Sequence, residues 1–144
     1  MGPNSSGARP ECALEGVKIL IVEDSWHVAH AMKSLLTDLG MRPVGPASTV
    51  RDAMTLFEQH RPDLAIVDVN LKQELATDLI ANLSELGVNV IVATGYAFPA
   101  LQPKSYKALL QKPFRADDLL NAVRVAADQR SGITNAERKG AVGQ

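Results

Sequence analysis

Glu23, Asp24, Asp68, Thr94 and Lys112 stand at corresponding places in the sequence, each at or just beyond the end of a short apolar run. Asp68 poses the sharpest question. It interrupts AIVDVNL at residues 65–71, and an ionised carboxylate is costly to bury unless partners or a metal compensate it. Acids brought together also repel and raise one another's pKa unless a cation neutralises them. A hard divalent ion, Mg²⁺ or Mn²⁺, answers this, because it takes oxygen ligands and completes its shell with water and phosphate oxygens. Lys112 then offers a point charge to phosphoryl oxygens, and the Thr94 hydroxyl offers a donor. The set suits phosphoryl transfer onto a carboxylate.

Taken singly, each residue has a plainer explanation. Asp24 or Ser25 would serve as a helix N-cap, Asp68 as the polar end of a strand, Thr94 as a turn former and Lys112 as a surface residue. The joint pattern is what argues for a site: four of five apolar runs end in complementary polar groups.

For these groups to meet, the ends of the runs must share one rim. Five short apolar runs, at 17–23 (VKILIVE), 42–47 (RPVGPA), 63–68 (DLAIVD), 88–94 (VNVIVAT) and 107–111 (KALLQ), alternate with segments of helical period. Val28, Met32, Leu35, Leu36 and Leu39 form one stripe, closed by Gly40. Val50, Ala53, Met54 and Phe57 form a second, stopped at Arg61-Pro62. Leu75, Leu79, Leu83 and Leu86 form a third, closed by Gly87, and Leu119, Leu120, Val123 and Ala127 form the last. Strands apolar on both faces, each followed by an amphipathic helix, predict a doubly wound parallel α/β domain. In such sheets the functional crevice lies beyond the carboxyl ends of the strands. Residues 97–106 (AFPALQPKSY) are the exception, because Pro99 and Pro103 interrupt any regular helix. The fourth helix is therefore expected to be short or irregular.

The 144 residues, 46% of them hydrophobic with a net charge of −1, suffice for one domain. That domain is expected over 17–130, between a disordered polar leader at 1–16 and a disordered tail at 131–144. No apolar run spans a bilayer, and the first residues lack a signal-peptide core, so a soluble cytoplasmic protein without membrane contact is expected. The single cysteine, Cys12, allows no intrachain disulfide. Arg124, Arg130, Arg138 and Lys139 are scattered without interleaved aromatics, which argues against DNA binding.

VEDS at 22–25, DVN at 68–70, ATGY at 93–96 and QKPF at 111–114 together resemble the receiver domain of bacterial two-component response regulators. The resemblance covers essentially all of 17–130. It implies a flavodoxin-like sheet with strand order 2-1-3-4-5. It also implies that Asp68 accepts a phosphoryl group from a sensor histidine kinase or a histidine phosphotransfer protein. Glu23, Asp24, Asp68 and the backbone carbonyl of Asn70 would hold Mg²⁺, Asp24 being the direct acidic ligand of the pair. Thr94 matches the switch hydroxyl, Lys112 the phosphoryl-binding lysine, and the Lys112–Pro113 bond one that is cis in the family. VNVIVATGYAFPAL is similar to the signature of the stand-alone FAT GUY receivers, with Val92 in place of their Phe, and these often work with HWE-type kinases. Leu109 stands where the family usually has an aromatic switch residue; Tyr96 is the candidate substitute. The expected protein is a phosphorylation switch without an output domain, a monomer or weak dimer.

Two other functional classes fit less well. A haloacid-dehalogenase-type phosphohydrolase needs a second aspartate two residues beyond the nucleophile, where this chain has Asn70. A docking module that never carries phosphate has no use for the full set of five residues. His27 and His30 read as a solvated helix face rather than metal ligands, because no third nitrogen or sulfur ligand accompanies them. Trp26 is expected to shield the loop that follows the first strand.

Overall fold

Alternating side chains on each apolar run face opposite sides of one sheet, and the helices between the runs cover both. The structure, a computed structural model, describes residues 14–72, 74–95, 101 and 103–128. β1 (Lys18–Val22), β2 (Arg42–Ala47), β3 (Leu64–Asp68), β6 (Asn89–Thr94) and β7 (Ala108–Gln111) form a five-stranded sheet in the order β2-β1-β3-β6-β7. All its pairings are parallel. This is the expected 2-1-3-4-5 order; the numbering differs because β4 (Asn70–Leu71) and β5 (Glu74–Leu75) pair as a separate antiparallel hairpin. α1 (Trp26–Asp38), α2 (Val50–His60), α3 (Thr77–Glu85) and α4 (116–128) complete the fold.

The sheet separates two cores. On one side Ile19, Ile21, Leu64, Ile66 and Ile91 pack against Met32 and Leu36 of α1 and Leu119 and Val123 of α4. On the other, Leu20, Val22, Val67, Val90 and Val92 meet Phe57 of α2 and Leu79, Ile80 and Leu83 of α3. Each such large side chain contributes about 1.5–3 kcal/mol on burial, so the strand bodies are fixed from both faces.

Helix ends follow local chemistry. Thr49 caps α2 by accepting from the Asp52 amide at 3.0 Å, and Asp118 accepts from the Arg115 amide at 2.9 Å at the start of α4. α1 and α3 end in the same bonding pattern, in which the amide after the glycine reaches back five residues: Met41 to the Leu36 carbonyl and Val88 to the Leu83 carbonyl. α2 stops at Arg61 (φ 49°), whose guanidinium lies 5.0 Å from the centre of the Phe57 ring.

Several expectations need correction. Leu75 and Leu86 are exposed, and the buried stripe of α3 is Ala76, Leu79, Ile80 and Leu83; Leu75 belongs to the hairpin and Leu86 lies past the last turn. Of the leader, residues 14–16 are described, and Leu14 is buried beside Ile19 in the α1–α4 core. The tail, Cys12 and Tyr96 lie outside the described residues. Within 97–106 the described part holds one 3₁₀ turn, Pro103–Ser105. The Lys112–Pro113 bond is cis as expected, and the Gly45–Pro46 bond is cis as well. No helix among the described residues is long and apolar enough to cross a membrane.

Gly45 and Gly87 both have positive φ, but for different reasons. Gly87 (φ +90°) ends a helix with open space around it, whereas a Cβ on Gly45 (φ +105°) would lie 2.9 Å from the Ile21 carbonyl, where β1 and β2 slip register. Gly87→Ala should therefore cost about 1–2 kcal/mol from backbone strain alone. Gly45→Ala should cost at least twice as much, since the backbone it meets cannot yield. Urea unfolding of both variants checks the ranking, and equal losses would refute the steric part.

Candidate functional site

Backbone pairing delivers the polar groups to one rim. The Glu23 amide donates to the Ala47 carbonyl (2.9 Å), the Val69 amide to the Ala93 carbonyl (3.0 Å), and the Lys112 amide to the Thr94 carbonyl (2.8 Å). Each bond carries the ladder one step beyond a strand and fixes the residue that follows or ends it. Asp68 closes β3 in register with Ala93, and Thr94 closes β6 opposite Gln111.

Lys112 joins the acids. Its Nζ donates to Glu23 Oε1 at 2.8 Å and to Asp68 Oδ2 at 2.9 Å. The second oxygen of each acid is held by a local amide, Ser25 N on Glu23 Oε2 and Asn70 N on Asp68 Oδ1, both at 3.0 Å. Asp24, half-buried, accepts from the Lys72 amide at 2.6 Å. Glu23, Asp68 and Thr94 are buried, with 2%, 5% and 5% of their surfaces exposed.

The titration behaviour follows from this packing. Burial pushes the Glu23 carboxyl up, helped by the Asp68 charge and opposed by Lys112 and the Ser25 amide. Burial alone would lower Lys112, but its hydrogen bonds and charge attraction to Glu23 and Asp68 outweigh that and raise it. Three acids against one lysine leave a formal charge of −2 when all four are ionised. One oxygen from each of Glu23, Asp24 and Asp68 lies within 4.8 Å of the others. An all-oxygen donor set with that charge fits a hard divalent cation.

Glu23, Asp24, Asp68, Thr94 and Lys112 thus share one rim. Asn70 is exposed at the start of the hairpin, and its amide rather than its side chain holds Asp68. Pro113 is exposed beside Lys112, and Leu109 is exposed on β7. His27 and His30 are both exposed. Trp26 does not cover the loop: 67% of its surface is exposed, and its ring stacks on His30 with centroids 5.0 Å apart. Sequence reasoning missed Lys72 and read Ser25 only as a helix N-cap, which it is; what both bring to the acids is a backbone amide, which leaves no residue-type signal.

A doubly wound sheet whose carboxyl-end crevice gathers an acidic cluster bridged by a lysine marks a signalling domain of the receiver class. The chain belongs to the response regulator receiver domain family, whose pattern matches residues 19–124, and which serves the two-component systems of bacteria. It is similar to the transcriptional regulatory protein PdtaR of Mycobacterium tuberculosis, 28% identical over 83% of this chain and 61% of that protein. It also resembles the chemotaxis protein CheY of Thermotoga maritima, 24% identical over 75% of this chain and 95% of CheY. The fold matches the crystal structure of the response regulator PhyR from Brucella abortus with a TM-score of 0.75 at 21% identity, covering 96% of this chain and 57% of that one. The chain therefore spans about three-fifths of the length of PdtaR and PhyR.

The lysine bridge has a signed consequence. With its pKa raised, Lys112 stabilises the fold fully below the ordinary lysine range and loses that contribution as pH rises through its folded value. Glu23, also raised, holds its proton more tightly when folded, so its ionisation lowers stability as pH rises past the ordinary carboxylate range. Lys112→Ala should cost about 2 kcal/mol at pH 7, below the range for a fully buried pair because the lysine is partly exposed. The loss should shrink as pH falls, because Glu23, whose carboxyl burial pushes up, takes a proton and ceases to be an unpaired buried charge, and millimolar Mg²⁺ should restore part of it. Urea unfolding across pH, with and without Mg²⁺, measures this; a pH-independent loss would contradict it.

Proposed function

We propose that Asp68 accepts a phosphoryl group from a phosphohistidine of a sensor kinase or a histidine phosphotransfer protein. A carboxylate oxygen of Asp68 forms the new P–O bond as the N–P bond of the donor breaks, and the imidazole, protonated beforehand on its other ring nitrogen, leaves neutral with that proton. The observation that carries this reading is Lys112 Nζ standing 2.8 Å from Glu23 and 2.9 Å from Asp68. It holds a positive charge where the phosphoryl oxygens would arrive, on an acid that two donors already orient.

Glu23, Asp24, Asp68 and the backbone carbonyl of Asn70 are the groups that would hold Mg²⁺, or Mn²⁺. The ion would supply charge neutralisation for the transferred phosphoryl group. Lys112 screens the remaining charge. Thr94, at the end of β6, offers its hydroxyl to the phosphoryl group and acts as the switch. Leu109 provides no ring to move with it, so Thr94 switches without the usual aromatic partner; Tyr96 is the alternative candidate.

On this reading the protein is a stand-alone receiver of the FAT GUY type, with ATGY at 93–96 supporting the assignment. An HWE-type kinase is then its first candidate partner. It acts in the cytoplasm as a monomer or weak dimer without DNA contact, and its output is a protein–protein interaction. Its only chemistry is its own phosphorylation and autodephosphorylation.

Incubation with acetyl phosphate and Mg²⁺ should raise the intact mass by one phosphoryl group, and Asp68→Asn should abolish the gain. Lys112→Ala should slow the reaction by about 10²-fold or more, the cost of losing one positioned charge donor. Thr94→Ala should still be phosphorylated but fail to change partner binding. An unmodified wild-type protein under these conditions would sink the proposal.

A further inference from the structure

The geometry points to Glu74 as a positioning residue for Asp24, acting through the hairpin that follows the phosphorylatable strand. Leu71 pairs with Glu74 and Asn70 with Leu75 across the hairpin, and the Ala76 amide ties its base to the Val69 carbonyl at 2.8 Å. Two further bonds leave the hairpin for separate elements. Lys72 donates its amide to Asp24 Oδ2 at 2.6 Å, and Glu74 Oε2 accepts from the Val50 amide, the first of α2, at 2.9 Å. Asp24, Ser48, Thr49, Lys72 and Glu74 line one cleft of about 270 Å³.

A two-residue ladder is too short to hold its own position, so the hairpin needs an external anchor. The first amides of a helix lack intrahelical partners and carry its positive end, and Glu74 uses one of them as that anchor. Thr49 meets the Asp52 amide of the same helix from within the local sequence. Glu74 meets Val50 across 24 residues. The cap on α2 is thereby also a strap on the hairpin, and the strap holds the Lys72 amide against Asp24 and sets how that carboxylate faces Glu23 and Asp68. The inference rests on Asp24 being a metal ligand, as proposed above, and adds a residue outside the acidic cluster that sets its affinity.

Three variants of the full chain test it: Glu74→Ala, Glu74→Gln, which keeps an acceptor oxygen, and Thr49→Ala, which removes the other cap of α2 and leaves the hairpin alone. Glu74→Ala should weaken Mg²⁺ binding, read by calorimetry, about tenfold, and should shift the Lys72 amide proton resonance upfield in the metal-free protein. Glu74→Gln should keep both near the wild-type values. Thr49→Ala should lower the melting temperature without moving either. An unmoved Lys72 resonance in Glu74→Ala, or an equal affinity loss in Thr49→Ala, would reduce Glu74 to a helix cap and overturn the inference. If the wild-type protein bound no Mg²⁺, the metal site of the proposed function would fall, while the Lys72 resonance would still decide whether Glu74 acts on Asp24 through the hairpin.

Discussion

One ammonium group bridges two buried carboxylates, and the architecture of the rim depends on it. Lys112 follows the edge strand β7, yet its Nζ reaches past the end of β6 to Asp68 on β3 and Glu23 after β1. A flexible four-carbon stem is suited to that span, and a compact charge can sit between two acids where the planar fork of an arginine would face only one well. The contact also requires that the ends of β1, β3 and β7 hold their relative height. That requirement falls on the two cores, which clamp the strand bodies from opposite faces, and on the backbone bond from Lys112 to Thr94.

Edge strands make the same demand visible from the other side. β2 carries Pro43 and Pro46, and β7 has only four residues, features that discourage pairing with further chains. β2 also bends at Gly45, where its backbone comes too near Ile21 to admit a Cβ. The close approach lets the sheet continue its ladder from Glu23 to Ala47, placing the first acid at the level of Asp68.

What was legible in the sequence were the features that depend on short-range pattern. Strand limits lie within a residue of the apolar runs, and Gly40 and Gly87 end their helices as their residue type implies. The five rim residues were legible because each terminates an apolar run. Less legible were features set by tertiary contacts. Leu75 and Leu86 continue the apolar period of α3 but sit beyond its ends, where about half of each is exposed (55% and 52%). Trp26 carries a large apolar ring, but its position at the first residue of α1 turns it toward His30 and solvent rather than the loop. The hairpin was invisible because NLKQEL lacks the turn residues that announce one, and its bonds to Asp24 and Val50 use backbone amides.

The same charge count that implies a divalent cation also explains why phosphorylation of Asp68 would be felt beyond it. Before transfer the cluster carries three negative charges and one positive. Afterwards Asp68 no longer bears its own charge, but the phosphoryl group brings about −1.5 to −2, so the rim becomes more negative. The buried acids have little freedom to answer, because Glu23 and Asp68 are each held by two donors. Lys112 is partly open to solvent, with 23% of its side chain exposed, and a shift of its Nζ from Glu23 toward the phosphoryl oxygens is the least costly reply. Its backbone is bonded to Thr94, so β6 and β7 would respond as a pair, and the exposed face of β7 that carries Leu109 is where the proposed switch would be read.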